Sequence, residues 1–397
     1  MQFQTKKSSK FSYFLSQPHQ PFFGLGFINA LIFMVLFTGI YRGSIDISIE
    51  HNLFHAYSMI FLIFTNFFLG FLFTTFPRFS GVEAIEKRKY LIVFTFSFAS
   101  AVAFLGVLFI KEAFIISSLF MIFAQVISIS IFYKIYQKAT LPKYDQYWII
   151  TAFGMGLFSN IVFLLSTVSK GNSAFVYHKT AVDFGIYLYL IFLAFSVSAR
   201  MIPFFSHRII QKDMKLLPFV FILFLAHSFL EGLYPKAVFA VDLTAAIIIT
   251  KEIIRWKLPF PNKEPLLWIL HISVFWLPLA LAVGSFAEFF KEWFGIYLFA
   301  LPLHLLSLGY LTTLLIGFGT RVTIGHSGNI LKVDRVTKYI FYFTQIVVLG
   351  RIIFSIAAYF GKTSPFFDIS ITLWLFLFGW WGVKYFNVLF FGKSLKN

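Results

Sequence analysis

The stretch His51-Asn-Leu-Phe-His-Ala-Tyr-Ser-Met59 sets two imidazoles and a thioether four residues apart, the spacing of one helical face. An apolar run continues behind it to Phe76. Imidazole and thioether are the donors that haem iron and copper accept. The chain contains no cysteine, which excludes disulfides, iron–sulfur clusters and thiolate-bound metals, so any metal depends on His, Met, carboxylates or Tyr. Nine histidines are available, at 19, 51, 55, 178, 207, 227, 271, 304 and 326. Within apolar segments an ionisable side chain is costly and usually functional. His55 and His304 are therefore read as cofactor ligands, the axial imidazoles of a haem or part of a copper site. The alternative at each position is a histidine that only hydrogen-bonds a neighbouring helix. His227 and His178 lie toward the same predicted side and are read as metal ligands, and His271 as a further cofactor contact. His19, His207 and His326 read as caps or headgroup contacts. Arg351, inside an apolar segment, needs an anion: a haem propionate, or Asp183, Glu231 or Asp242.

Elements that could position these residues follow from composition. Of 397 residues, 59% are hydrophobic and only 12% charged, against about 25% charged in a soluble globular protein. The chain reads as an all-α polytopic membrane protein. The 59 phenylalanines read as lipid-facing bulk and helix packing. Apolar windows of about 20 residues predict twelve spans, at 22–41, 53–77, 90–110, 113–133, 147–168, 181–202, 216–234, 236–254, 266–287, 294–318, 338–360 and 366–388. No cleavable leader is read at the N-terminus. With the N-terminus inside, the predicted cytoplasmic segments hold 25 of the 33 Lys and Arg and the other side holds 8. That asymmetry predicts both termini in the cytoplasm. It also accounts for the formal charge of +17 by topology, with no nucleic-acid partner.

The predicted cytoplasmic ends of spans 2, 6 and 10 read TFPRFSG (75–81), ARMIPFFSH (199–207) and TRVTIGHSG (320–328). Arg200 and Arg321, like Ser206 and Ser327, stand 121 residues apart. One transmembrane domain of three four-helix units, near 22–140, 147–260 and 266–390, is the expectation.

Several phrases together carry a family resemblance: PHQPFF (18–23), HAYSM with GFLFTTFPRFSG (55–81), RMIPFF (200–205), LWILHISVFWLPLAL (267–281) and HLLSLGYLTTLLIGFGTRVTIGHSG (304–328). Along nearly its whole length the chain resembles the NnrS family. The resemblance implies a twelve-helix inner-membrane protein with b-type haem and copper, associated with the response to nitric oxide. The family commonly has Trp-His-Ala-His-Glu-Met at the start of span 2. Here Tyr57 replaces the second histidine and Ser58 the glutamate. That departure removes one metal ligand that the resemblance implies for copper, and Tyr57 is a candidate to ligate, donate a proton or stabilise bound NO. Any copper is expected on His227 and His178, with Tyr57 or Met59 as a further donor; a member keeping haem only is the competing reading. A weaker resemblance, of architecture alone, is to haem–copper oxidases, whose twelve helices form three arcs of four.

Three functions stay open on these residues. The first is a haem protein that binds or reduces NO, with quinol as a candidate electron donor. The second is a transporter for a metal, haem or metal–nitrosyl species, and the third a non-enzymatic partner in NO stress or maturation. The basic-residue asymmetry yields the first testable outcome: a reporter fused after Lys396 reads as cytoplasmic, and a periplasmic reading overturns the twelve-span topology.

Overall fold

The computed structural model describes residues 13–392. Among them every regular element is helical, and twelve helices form the bundle: α1 (His19–Tyr41), α2 (His51–Ser80), α3 (Lys87–Leu108), α4 (Glu112–Lys138), α5 (Tyr144–Val168), α6 (Gly171–Phe205), α7 (Leu216–Leu233), α8 (Val238–Arg255), α9 (Pro265–Phe294), α10 (Leu301–Gly325), α11 (Arg335–Tyr359) and α12 (Phe366–Phe391). Eleven are long and apolar enough to cross a membrane. The twelfth, α8, is 18 residues, about 27 Å at 1.5 Å per residue, and carries Asp242, Lys251, Glu252 and Arg255. Three of those charges cluster in its last turn, where Glu252 accepts from Arg255 and from the Trp256 indole. The chain is a multi-pass membrane protein. Phe14 stacks on Phe390 at 4.6 Å, so the two described chain ends meet at one end of the bundle, here called the near end.

The elements depart from the sequence expectation at both their starts and their ends, and two of the shifted starts carry histidines. α6 begins at Gly171 instead of 181, which puts His178 on the helix and not just outside it. α10 begins at Leu301, so His304 lies within its first turn at the far end.

α2, α6 and α10 are the most buried of the candidate spans. They touch one another along the axis, and Phe71 of α2 packs on Phe318 of α10 at 5.0 Å. Each contains a π-helical segment: Ser58–Phe64, Phe184–Ile191 and Leu305–Thr312. Such segments are rare and concentrate at functional sites, because the wider turn rotates side chains relative to the rest of the helix. Threonines stabilise two of them. Thr65 donates to the Ile60 carbonyl five residues back (2.7 Å), and Thr312 does the same to Ser307 (2.8 Å). Tyrosines then tie the three helices together. The Tyr189 hydroxyl lies 2.9 Å from Thr65 Oγ1, joining α6 to α2, and Tyr310 lies 3.1 Å from Ser198 Oγ, joining α10 to α6.

These bonds are buried, so losing one partner strands the other. Thr65→Val leaves the Tyr189 hydroxyl bare and is expected to cost about 1–3 kcal/mol, whereas Tyr189→Phe leaves Thr65 its carbonyl and costs about 1 kcal/mol or less. Thermal unfolding of both variants in detergent checks the order; a Thr65→Val protein no less stable than Tyr189→Phe contradicts it.

Candidate imidazole cavity

At the far end, α1, α2, α6, α10, α11 and α12 enclose a cavity of about 350 Å³, within the range of roughly 300–1,000 Å³ typical of small-molecule sites. Its walls are mostly apolar and aromatic, with Phe37, Phe64, Phe299, Phe354, Phe367 and Trp374 among them. Into it point His55, His178, His304, Arg351 and Met59. Of the three residues that the opening stretch places on one helical face, His55 and Met59 line the cavity, together with Asn52 and Ala56. His51 is exposed and meets only the edge of Tyr41.

The His55 and His304 rings lie 6.2 Å apart between centroids, with planes 11° from parallel. One metal ion bound by both imidazoles at about 2 Å per bond, in a near-linear N–metal–N arrangement, separates the centroids by about 6 Å. Each ring is held in place. His55 stacks on Phe37 at 4.2 Å. No described hydrogen bond reaches either of its ring nitrogens, and Nδ1 is buried and bare. His304 Nδ1 stands 2.8 Å from the Ala300 carbonyl, which can only accept and so favours a proton on Nδ1 and a basic Nε2; Arg351 Nη2, 3.1 Å from the same nitrogen, can only donate and favours the opposite tautomer. Ala300 adopts a left-handed conformation (φ 45°, ψ 26°) to present that carbonyl, a strain of about 1–2 kcal/mol for a residue with a Cβ.

Arg351 is 5% exposed and pairs with no carboxylate among the described residues. Nη2 donates to the Phe299 carbonyl at 3.2 Å and lies 3.1 Å from His304 Nδ1, while Nη1 is buried and bare. Its guanidinium covers the Phe354 ring at 4.6 Å. The carboxylates offered as its partners from sequence are elsewhere, so an anion for Arg351 has to come from whatever fills the cavity.

Three sequence expectations are redirected. Tyr57 is absent from the cavity wall; its ring is packed among Phe104, Phe114 and Phe163. His271 lies toward the near end, 2.8 Å from Ser206 Oγ, and does not face the cavity. His178 and His227 do not share a site. His178 faces the cavity, whereas His227 sits with Asp242 (Nδ1 to Oδ1 2.7 Å), Glu231 and Asp183. One turn of α6 explains the split. His178, Val182 and Ile186 line the cavity at four-residue spacing, and Lys179, Asp183 and Tyr187 are each one residue on, rotated by about 100°. The acidic cluster was missed as a unit, although the i,i+4 pairs Lys179–Asp183 and His227–Glu231 were visible in the sequence. Near-end His19 and His326 face each other at 5.3 Å, and Arg200 is paired with Asp145 at 2.7 Å.

Arg351→Met should leave thermal stability unchanged or raised, since a buried guanidinium without a counter-ion opposes folding and Ser355 still donates to Phe299 at 3.1 Å. A large drop in the unfolding temperature would instead make Arg351 a structural tie between α10 and α11.

The sequence pattern of the family described as NnrS protein matches residues 13–391. No curated protein matches the chain.

Proposed function

We propose, from the premise that this chain belongs to the NnrS family, that the far-end cavity holds a haem b between His55 and His304 and that the protein binds nitric oxide there. The carrying observation is the pair of parallel imidazoles 6.2 Å apart across an aromatic cavity. The donor set fits the group: two imidazoles that would hold the iron, mostly apolar and aromatic walls, and a guanidinium whose bare nitrogen suits a propionate. When bound, haem iron would supply one-electron chemistry, and NO would compete with one of the two imidazoles for it.

The protein's own residues do the positioning. Phe37 fixes the plane of His55, and the Ala300 carbonyl and Arg351, both at Nδ1, fix the orientation of the His304 ring. Arg351 brings a fixed positive charge to the wall. Reduction of NO, in place of reversible binding, needs two protons and two electrons for each pair of NO molecules converted to N2O and water. A membrane quinol is the electron-donor class that a chain embedded in lipid can meet. The bundle is assigned to the bacterial inner membrane with both termini cytoplasmic, which puts the far end on the periplasmic side.

A second reading has its own support: Met59 and His178 share the cavity with the imidazole pair, and thioether plus imidazole is a copper(I) donor set. This relocates any copper from the His178–His227 grouping to the cavity. Copper and haem are separated by metal analysis and a visible spectrum of protein purified without chelators. The haem reading expects a Soret band that shifts with NO and is lost or displaced in His55→Ala and His304→Ala. Protein lacking a Soret band but holding copper at one per chain favours the second reading. Protein with neither, or a spectrum untouched by both substitutions, sinks the cavity as a metal centre and leaves the transporter and partner functions.

A further inference from the structure

On the other face of α6, outside the imidazole cavity, α6, α7 and α8 bring Asp183, His227, Glu231 and Asp242 together inside the bundle. We infer that Asp183, His227 and Glu231 form a binding site for one divalent cation of the zinc–manganese class. The inference stands independently of what occupies the cavity.

The argument is one of unmatched acceptors. One ligand atom each from Asp183, His227 and Glu231 lies within 4.8 Å of the others. Asp242 Oδ1 stands 2.7 Å from His227 Nδ1 and is an acceptor, so Nδ1 carries the proton and Nε2 is the basic nitrogen. A histidine that ligates a metal is usually oriented this way, by a carboxylate behind it. His227 is 3% exposed, its Nε2 is buried without a hydrogen-bond partner, and that nitrogen faces Glu231 Oε2 at 3.6 Å. Asp183 is 5% exposed and has no ion-pair partner among the described residues. Three acceptors thus converge without a donor between them. Lys179 does not resolve this, since its ammonium is placed on the other Glu231 oxygen (3.2 Å) and on the Glu231 carbonyl (3.0 Å).

Charge points the same way. With a neutral imidazole, the carboxylates of Asp183, Glu231 and Asp242 outnumber the single Lys179 ammonium by two. Lys291 is occupied by Glu288 at 2.7 Å and Glu292 at 3.6 Å. A divalent cation brings the group to neutrality. One imidazole with two carboxylates is a donor set for borderline and hard ions, whereas copper(I) favours sulfur. Bonds of about 2.0–2.2 Å require the three ligand atoms to close up by roughly 1 Å. Glu231 is the most exposed of the three, at 18%, which gives the ion a way in from the far end.

The test is equilibrium dialysis of the full chain in detergent against Mn2+, with bound ion read by electron paramagnetic resonance and Zn2+ added as competitor. The wild-type protein is expected to retain about one Mn2+ per chain, displaced by Zn2+. Asp183→Asn and His227→Gln are expected to weaken binding at least tenfold, and His55→Ala to leave it unchanged. Size-exclusion elution and metal-free thermal unfolding show that the variants are folded, and Glu231→Gln replaces either one that is not. Wild-type protein without stoichiometric Mn2+ or Zn2+ overturns the inference and means that a proton on His227 or Asp183 supplies the missing donor. Binding that survives Asp183→Asn and His227→Gln, or that falls with His55→Ala, overturns it as well.

Discussion

A polar atom inside a lipid-embedded bundle has no water to fall back on, so it must find a partner within the protein. Most of this chain obeys that constraint closely. Asn29 of α1 donates to the Leu62 carbonyl of α2 at 2.8 Å. Ser118, Asn160 and Gln125 form a chain from α4 to α5, with each link at 2.8 Å. Ser100 and Ser117 exchange bonds with each other's carbonyls between α3 and α4. Thirteen buried side-chain atoms among the described residues lack a partner, and most of them stand singly between packed helices. Three differ in their surroundings: His55 Nδ1 and Arg351 Nη1 belong to residues that line a roomy cavity, and His227 Nε2 faces a tight acidic cluster. A bare atom costs stability wherever it lies, and it is the space or the converging acceptors beside these three that point to a ligand.

The geometry that separates the two places is set by the central helices. In a regular α-helix, each residue is rotated about 100° from the last, so one helix can line two compartments only if its register is held firmly. On α6 that register passes from His178, Val182 and Ile186 on the cavity face to Lys179, Asp183 and Tyr187 beside it, just as the helix enters its π segment at Phe184. The π segments of α6 and α10 begin and end 121 residues apart, as do Tyr189 and Tyr310, the same interval that separates the RMIPFFSH and RVTIGHSG phrases. Both tyrosines carry the hydroxyls that bind the neighbouring central helix. We take this correspondence as support for four-helix units arranged about an axis, with the widened turns as the shared device that opens space at the far end.

Sequence reasoning reached the helix count and the His55–His304 pair because both depend on coarse quantities. A span needs only about 20 apolar residues, and two histidines on helices of similar depth need only lie on the same side. α8 shows the limit of the apolar criterion, since Lys251, Glu252 and Arg255 at its end lower the hydropathy of a helix that packs with the rest. The side-chain groupings depended on a finer quantity, the azimuth of each residue around its helix. His227 and His178 share a depth but not a face. Tyr57, two residues from His55, is turned about 200° away and buried among phenylalanines. His271 could be placed by depth alone, and its hydrogen bond to Ser206 shows why it is buried without facing the cavity. Where a π segment intervenes, the rotation per residue itself changes, and a helical wheel drawn from sequence loses its phase.

These relations make α6 a wall with one chemistry on each side. Val182 lines the cavity, and the next residue, Asp183, belongs to the acidic cluster. Tyr187 completes the arrangement: its ring covers His227 at 3.8 Å, while its neighbour Ile186 faces the cavity. The same helix carries the Tyr189 and Ser198 bonds to α2 and α10, the helices that hold the two imidazoles. Those bonds fix the azimuth of α6, and that azimuth keeps Asp183 out of the cavity and His178 out of the acidic cluster, so the two compartments share a wall without sharing a single ligand.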